Sequence, residues 1–189
     1  RYRWVVIKSL LVTSDQIGSS GATVTQNEHK ALSRLGSVEV INPAPSKDPF
    51  ETDAIATAQY KKLNTKFDLA HIYAGTYTQL VHCLKDDGCK VTYTAAAHDI
   101  NESRDEHLIL GLPYDYAHLT DPNLFERYVR GYKLADCVIC PSKHSAQCMR
   151  SYGCENVEVV PHGCHIPSKI NPISSRFTVG YLGACGPDK

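Results

Sequence analysis

The sequence predicts an α/β protein built on a doubly wound, Rossmann-like parallel sheet, and three observations support this fold class. Short apolar runs alternate with stretches of helical periodicity, which is the order of strands joined by crossover helices. The chain of 189 residues is long enough for one well-buried core but short for two full domains. Gly36 and Gly153 stand where predicted helices end, as helix stop signals do.

The predicted elements follow in a regular order. Strands are expected at 4–13, 38–41, 67–73, 90–95, 137–140 and 157–160, and helices at 22–35, 76–85, 123–134 and 143–151. Pro43, Pro45 and Pro49 are expected to keep the stretch after the second strand out of regular structure. The long polar segment from 97 to 122 is expected to be functional or partly helical.

The composition changes near the end of the chain and suggests a domain boundary. Residues 166–176 contain Pro167, Pro172 and several serines, which is typical of a linker. One more apolar run follows at 177–182. The sequence therefore predicts a Rossmann-like domain at 1–165, a linker at 166–176, and the first strand and turn of a second domain at 177–189.

Charge and targeting features narrow the classes of partner and location. The formal net charge is zero, so no global field attracts nucleic acid or an anionic membrane. The sequence shows no signal peptide and no apolar run of membrane-spanning length. A cytoplasmic location is therefore expected.

Eight cysteines raise the question of disulfides and metal binding. Free thiols are the expected state in a chain of this length without a secretory signal. Cys137 and Cys140 form a CxxC, but they lie in a predicted strand, where positions i and i+3 point to opposite faces. A shared zinc ion is not expected there.

The loop at 14–21 is the first candidate site. It follows the first strand and precedes the first helix, at the sheet edge where open α/β proteins bind ligands. Gly18, Ser19, Ser20 and Gly21 would let backbone amides approach a phosphate. The alternative is an ordinary turn with Ser19 or Ser20 as the helix N-cap.

His98 is the second candidate. It follows a strand and three alanines that leave room for a ligand, and its imidazole can donate a hydrogen bond or move a proton. The alternative is a capping histidine held by Asp99. His71, which is followed by Ile72 and Tyr73, is interpreted as a core residue.

The most informative pattern comes near the end of the chain. It comprises 135–142 (ADCVICPS), 157–165 (VEVVPHGCH), 179–183 (VGYLG) and Lys189. Earlier in the chain, 67–71 (FDLAH) and 94–98 (TAAAH) add two more motifs. Together, in this order, they resemble the family-4 glycosyltransferases of the GT-B fold, and the resemblance covers nearly the whole chain.

The resemblance implies an activity, and it assigns donor binding and acceptor binding to different domains. Two Rossmann-like domains face each other, with a UDP- or GDP-linked sugar bound mainly by the second. A glycan, lipid or small-molecule acceptor is bound mainly by the first. Transfer retains the anomeric configuration and uses no cofactor and no metal, because fixed positive charge stabilises the leaving diphosphate. A peripheral contact with the inner membrane face is compatible with such a protein.

The resemblance also assigns residues. Gly18 to Gly21 and Lys189 would lie at the donor diphosphate, and His98 would contact the transferred sugar. His162 and Gly163 would form the hinge between the domains. Asp136 and Ser142 are interpreted as structural, with Asp136 fixing a loop and Ser142 capping a helix.

Departures from the family pattern set limits to these assignments. Ala184 stands where an arginine is frequent, Cys164 and His165 alter the hinge motif, and Gly18 and Gly21 are not adjacent. The family's acidic donor-binding motif lies beyond the chain, so the chain alone is expected to have little or no transferase activity.

Three other functions remain open at this point. One is a GT-B nucleotide-sugar 2-epimerase, and another is a non-enzymatic Rossmann-like module that binds a glycan or a protein. The third is a metal-dependent hydrolase using His98, Asp99, His107 and His118, whose spacing matches no common ligand motif.

Overall fold

A computed structural model describes residues 6–13, 20–44, 46, 48–73, 75–95, 105, 108–111 and 122–161. Its strands are β1 (Ile7–Thr13), β2 (Gly36–Ile41), β3 (Leu69–Tyr73), β4 (Lys90–Thr94), β5 (Cys137–Cys140) and β6 (Val157–Val159). The helices assigned between them are α1 (Ser20–Ser33), α2 (Pro49–Leu63), α3 (Thr78–Asp86), α4 (Pro122–Leu134) and α5 (Lys143–Ser151).

The six strands form one parallel sheet in the order β2-β1-β3-β4-β5-β6. The chain moves from β1 to β2 in one direction and later places β3 on the other side of β1. The switch point therefore lies between β1 and β3, where the carboxyl ends of two neighbouring strands open a crevice. The predicted α/β, Rossmann-like doubly wound fold is confirmed.

The two faces of the sheet are covered differently in the described part of the chain. One face carries residues such as Leu10, Val12, Ile72 and Tyr93, and helices α2 to α5 pack on it around a continuous apolar cluster. We call it the core face. The opposite face carries Ser9, Leu11 and Thr13 of β1 with the alternate positions of β3, β4 and β5. Helix α1 lies on this side, and we call it the α1 face.

The predicted strands and most predicted helices lie within a few residues of their observed bounds. One expectation was wrong. Proline was expected to keep the chain irregular as far as Pro49, yet α2 begins at Pro49, directly after the N-cap Asp48. The side chain of Asp48 accepts a hydrogen bond from the amide of Phe50 at 2.9 Å. Proline fits the first helical position, because its missing N–H would have no intrahelical partner there.

Other expectations fall on residues outside the described part. These are the strand residues Trp4 and Val5, the linker at 166–176 and the strand at 177–182. The domain boundaries therefore remain predictions. Among the described helices, none is both long and apolar enough to cross a membrane.

The cysteines in the described part are free thiols, as expected; they are Cys83, Cys89, Cys137, Cys140, Cys148 and Cys154. Cys140 is fully buried in the core cluster, whereas Cys137 is half-buried and lies outside that cluster. The CxxC thus points to both faces of β5. Burial also raises the pKa of the Cys89 thiol to about 12, which makes it a poor nucleophile at neutral pH.

Candidate functional site

Several predicted site residues follow the carboxyl ends of strands in the sequence and lie outside the described part of the chain. Ser20 begins α1 and Gly21 follows within it, while Gly18 and Ser19 lie outside the described residues. His98 also lies outside, three residues after Ala95, where β4 has ended. His162 and Gly163, which follow β6, and Lys189 lie outside as well.

A pocket of about 460 Å³ opens on the α1 face. Its described walls come from α1, from β3 to β5, and from the residues that directly follow β5 and β6. Most of these walls are apolar, and they include Val24, Leu69, Ile139, Pro141 and Val160. The pocket thus reaches from Leu69, the first residue of β3, to the carboxyl edge of the sheet.

Of the five polar side chains in the described lining, four contact one another; they are Glu28 of α1, His71 of β3, and Thr92 and Thr94 of β4. The His71 ring places Nδ1 2.8 Å from Thr92 Oγ1. On its other side, Nε2 lies 3.1 Å from Glu28 Oε1 and 3.2 Å from Thr94 Oγ1. The Thr94 hydroxyl donates to Glu28 Oε1 at 2.8 Å. We call these four residues the polar cluster.

The geometry of the polar cluster limits its chemistry. His71 is 6% exposed, and both ring nitrogens already have partners, so the imidazole is poorly placed to accept a proton from a substrate. The second carboxylate oxygen of Glu28, Oε2, is shielded from solvent and makes no hydrogen bond. An unsatisfied buried acceptor costs about 1–3 kcal/mol, so this atom lowers the stability that the polar cluster provides.

The sequence interpretation of His71 as a core residue was right about its burial and missed its partners. A signal was present, because Thr92 and Thr94 alternate with Val91 and Tyr93 and so mark a polar face of β4. The partner Glu28 is 66 residues from Thr94 in sequence, and only the packing of α1 brings them together.

Asp136 makes contacts that join neighbouring parts of the fold. Its carboxylate accepts a hydrogen bond from the Val91 amide at 2.9 Å and contacts Lys85 and Lys90 at 3.1 and 3.2 Å. Burial alone would raise the pKa of Asp136, but the amide and the two ammonium groups hold it below its ordinary value. Asp136 therefore ties the start of β4 to the turn before β5, at the amino edge of the sheet and away from the pocket.

Ser142 caps α5. Its hydroxyl accepts a hydrogen bond from the Ser145 amide at 3.1 Å, which is the role that the sequence analysis favoured over catalysis. Among the described residues, no three side chains of the metal-binding types come together as a ligand set. The hydrolase candidates His98, Asp99, His107 and His118 lie outside those residues.

Comparison with solved structures finds eleven similar chains, among them the following two. One is Anabaena HepE in complex with UDP and glucose, at 12% identity and a TM-score of 0.49, covering 84% of this chain and 45% of that one. The other is a UDP-glucosyltransferase from Polygonum tinctorium capable of glucosylating indoxyl, in complex with 3,4-dichloroaniline. It has 12% identity and a TM-score of 0.42, with 86% and 52% covered. The chain thus spans about half the length of these structures.

No curated protein matches the sequence. A family model does match, over residues 22–166, which is well over half of the chain and includes every described element from β2 to β6. That model is described as Glycosyltransferase Family 4. The chain belongs to this family.

Proposed function

We propose that this chain is the acceptor-side part of a glycosyltransferase. The enzyme would transfer a hexosyl group from a UDP- or GDP-linked donor to an acceptor hydroxyl, with retention of configuration. The observation that carries the proposal is the family match across residues 22–166, which spans strands β2 to β6 of the parallel sheet. The pocket at the carboxyl edge gives this domain a place for a small ligand.

The proposed chemistry relies on charge stabilisation. In the transfer, the acceptor oxygen replaces the diphosphate at the anomeric carbon, and the departing diphosphate carries the negative charge. Helix α1 begins at Ser20, just after the carboxyl end of β1, so its free amides face the edge where that anion would lie. We assign Gly18 to Gly21 and Lys189 to the diphosphate and His98 to the transferred sugar, following the family pattern.

The function is tested by assaying sugar transfer with a panel of UDP- and GDP-sugars. We expect the 189-residue chain to be inactive alone and to gain activity when extended by a donor-binding domain. The anomeric configuration of the product, read from its NMR coupling constant, tests retention. Transfer at normal enzymatic rates by the isolated chain would contradict the division of labour, and isomerised donor formed without acceptor would indicate a 2-epimerase instead.

His98 is tested in the same assay on the extended protein. Replacing His98 by Ala should lower kcat about 100-fold, the usual range for a lost positioned hydrogen-bond or proton donor. His82 provides a matched control, because it is an exposed histidine on α3, on the core face. Equal activities of H98A and H82A would remove His98 from the proposed site.

A further inference from the structure

Helix α1 is joined to the sheet by polar side chains at two points. Thr25 Oγ1 lies 3.3 Å from Oγ1 of Thr13, the last residue of β1. About one turn further along α1, Glu28 Oε1 accepts a hydrogen bond at 2.8 Å from Thr94, the last residue of β4. The same oxygen lies 3.1 Å from Nε2 of His71 in β3. The side chains of one helix thus reach three neighbouring strands.

The two points of attachment lie in one row of the sheet, at its carboxyl edge. Thr13 of β1 is the register partner of Tyr73 of β3, and Tyr73 is the partner of Thr94 of β4. Two strand spacings therefore separate the two threonines, which is about 10 Å. Helix α1 is fastened on both sides of the switch point between β1 and β3, so its position over that crevice is fixed from two directions.

Contacts of this kind define the place of a helix more sharply than apolar packing does. The hydrophobic effect has no preferred direction, whereas a hydrogen bond weakens steeply when its distance or angle changes. Among the described residues of α1, Leu32 is the buried apolar one. The cluster also leaves Glu28 Oε2 shielded and without a hydrogen bond, which costs stability. The polar contacts therefore serve the position of α1 more than the stability of the fold.

The attachment points lie close to the N-terminus of α1. Ser20 begins the helix five residues before Thr25, which is about 7.5 Å along the helix axis. We propose that Thr25 and Glu28 are positioning residues for the transfer reaction. Their contacts with the strands hold the N-terminal amides of α1 at the place on the sheet edge where these amides meet the departing diphosphate. This role rests on the proposed function, in which the amides stabilise that anion.

The attachment at Glu28 is tested through Thr94, by steady-state kinetics of the protein extended by a donor-binding domain. Thr94→Val removes the hydroxyl that donates to Glu28 and should lower kcat about tenfold, because a misplacement of about 1 Å can cost as much as about 100-fold. Thr94→Ser keeps the hydroxyl but loses a buried methyl group, so it should keep kcat within about threefold although it is less stable. A role in stability alone would make kcat follow the free energy of unfolding. Equal kcat values of the two variants would overturn the proposal.

Thr25 separates positioning from direct contact with a ligand, because Thr94 lines the pocket and Thr25 is not part of its described lining. Thr25→Val should lower kcat about fivefold through the position of α1 alone. Thr57 provides the matched control. Its buried hydroxyl donates to the Asp53 carbonyl within α2 at 2.8 Å, so Thr57→Val should leave kcat within about twofold. Equal kcat values of the Thr25 and Thr57 variants in an active enzyme would overturn the proposal alone, whereas absence of transfer by the unmodified extended protein would overturn the proposed function as well.

Discussion

Asp53 shows how one buried carboxylate joins two helices. It lies in α2 and is 2% exposed, yet it accepts hydrogen bonds from the amides of Gln79 at 2.7 Å and Leu80 at 3.1 Å. These amides belong to the first turn of α3, whose own N-cap residue Tyr77 makes no side-chain capping bond. The N-terminus of α3 is therefore capped by a residue of another helix.

Replacing Asp53 by Ala should lower the free energy of unfolding by about 2–3 kcal/mol. The change leaves two buried amides without acceptors, and each such loss is costly. Asp53→Asn keeps one acceptor oxygen in place and should cost less. Urea unfolding followed by circular dichroism measures both, and equal losses for the two variants would show that hydrogen bonding to α3 is not the reason.

Asp136 gives the folded chain a defined response to acid. Because its partners hold its folded-state pKa below the unfolded value of about 3.9, the folded state binds the proton less tightly than the unfolded state. Its stabilisation is therefore complete well above pH 4 and is lost as the pH falls through the lower folded-state pKa. The contribution should be about 1–2 kcal/mol near neutrality, since the ion pairs are partly exposed.

Comparing Asp136→Asn with the unmodified chain tests this response. The difference in unfolding free energy should be present at pH 7 and should shrink as the pH falls below about 4. Asp86, an exposed aspartate at the end of α3, provides the control Asp86→Asn. A difference for Asp136→Asn that stays constant from pH 7 to pH 3 would contradict the assignment.

Helix α2 shows that helix-breaking residues alone do not predict where a helix is absent. Proline ends or prevents a helix in most positions, and three prolines within seven residues favoured an irregular segment. The start of α2 uses one of them at its first position. Thr52, one turn into α2, also accepts from the Ser46 amide at 3.1 Å, and this fastens the preceding segment. Pro49 has an aspartate before it and a glutamate soon after it. This pattern is typical of a helix N-terminus and agrees with the structure.

Replacing Asp48 by Ala should destabilise the chain by about 1 kcal/mol, the usual cost of a lost N-cap. Asp48→Asn is the matched control, because asparagine keeps the oxygen that accepts from Phe50. Thermal unfolding of the three proteins measures the order of stability. A variant with alanine as stable as the one with asparagine would show that the cap is not a source of stability.

The candidate site was less predictable than the elements that carry it. The alternation of apolar and helical segments is visible among neighbouring residues, so it was enough to predict the strands and the edge of the sheet at which a site would lie. The contact of Glu28 with His71 and Thr94 depends instead on where α1 crosses the sheet. No periodicity within a single element encodes that crossing, and a buried histidine on a strand looks like any other core position.

The helices on the two faces of the described sheet bury different amounts of apolar surface, and this affects how stability is distributed over the molecule. Helices α2 to α5 share a large apolar cluster on the core face. Helix α1 contributes Leu32 as its buried apolar residue among those described, and it is joined to the sheet largely by polar contacts of Thr25 and Glu28. Few buried apolar contacts are the mark of a unit that opens at low free energy.

Hydrogen exchange measured by mass spectrometry should therefore show α1 exchanging faster than α3, in which Leu80, Val81 and Leu84 are fully buried.

Glu28→Gln removes the charged link from α1 to β3 and β4, and it should speed exchange in α1 about tenfold while leaving α3 unchanged. Glu126→Gln is the matched control, because Glu126 is an exposed residue of α4 paired with Lys133. Exchange in α1 as slow as in α3, or equal effects of the two glutamine variants, would mean that α1 is held by more than the polar cluster. If the expected pattern holds, the helix that borders the pocket is also the first to open, and a ligand in the pocket would slow its exchange by closing it.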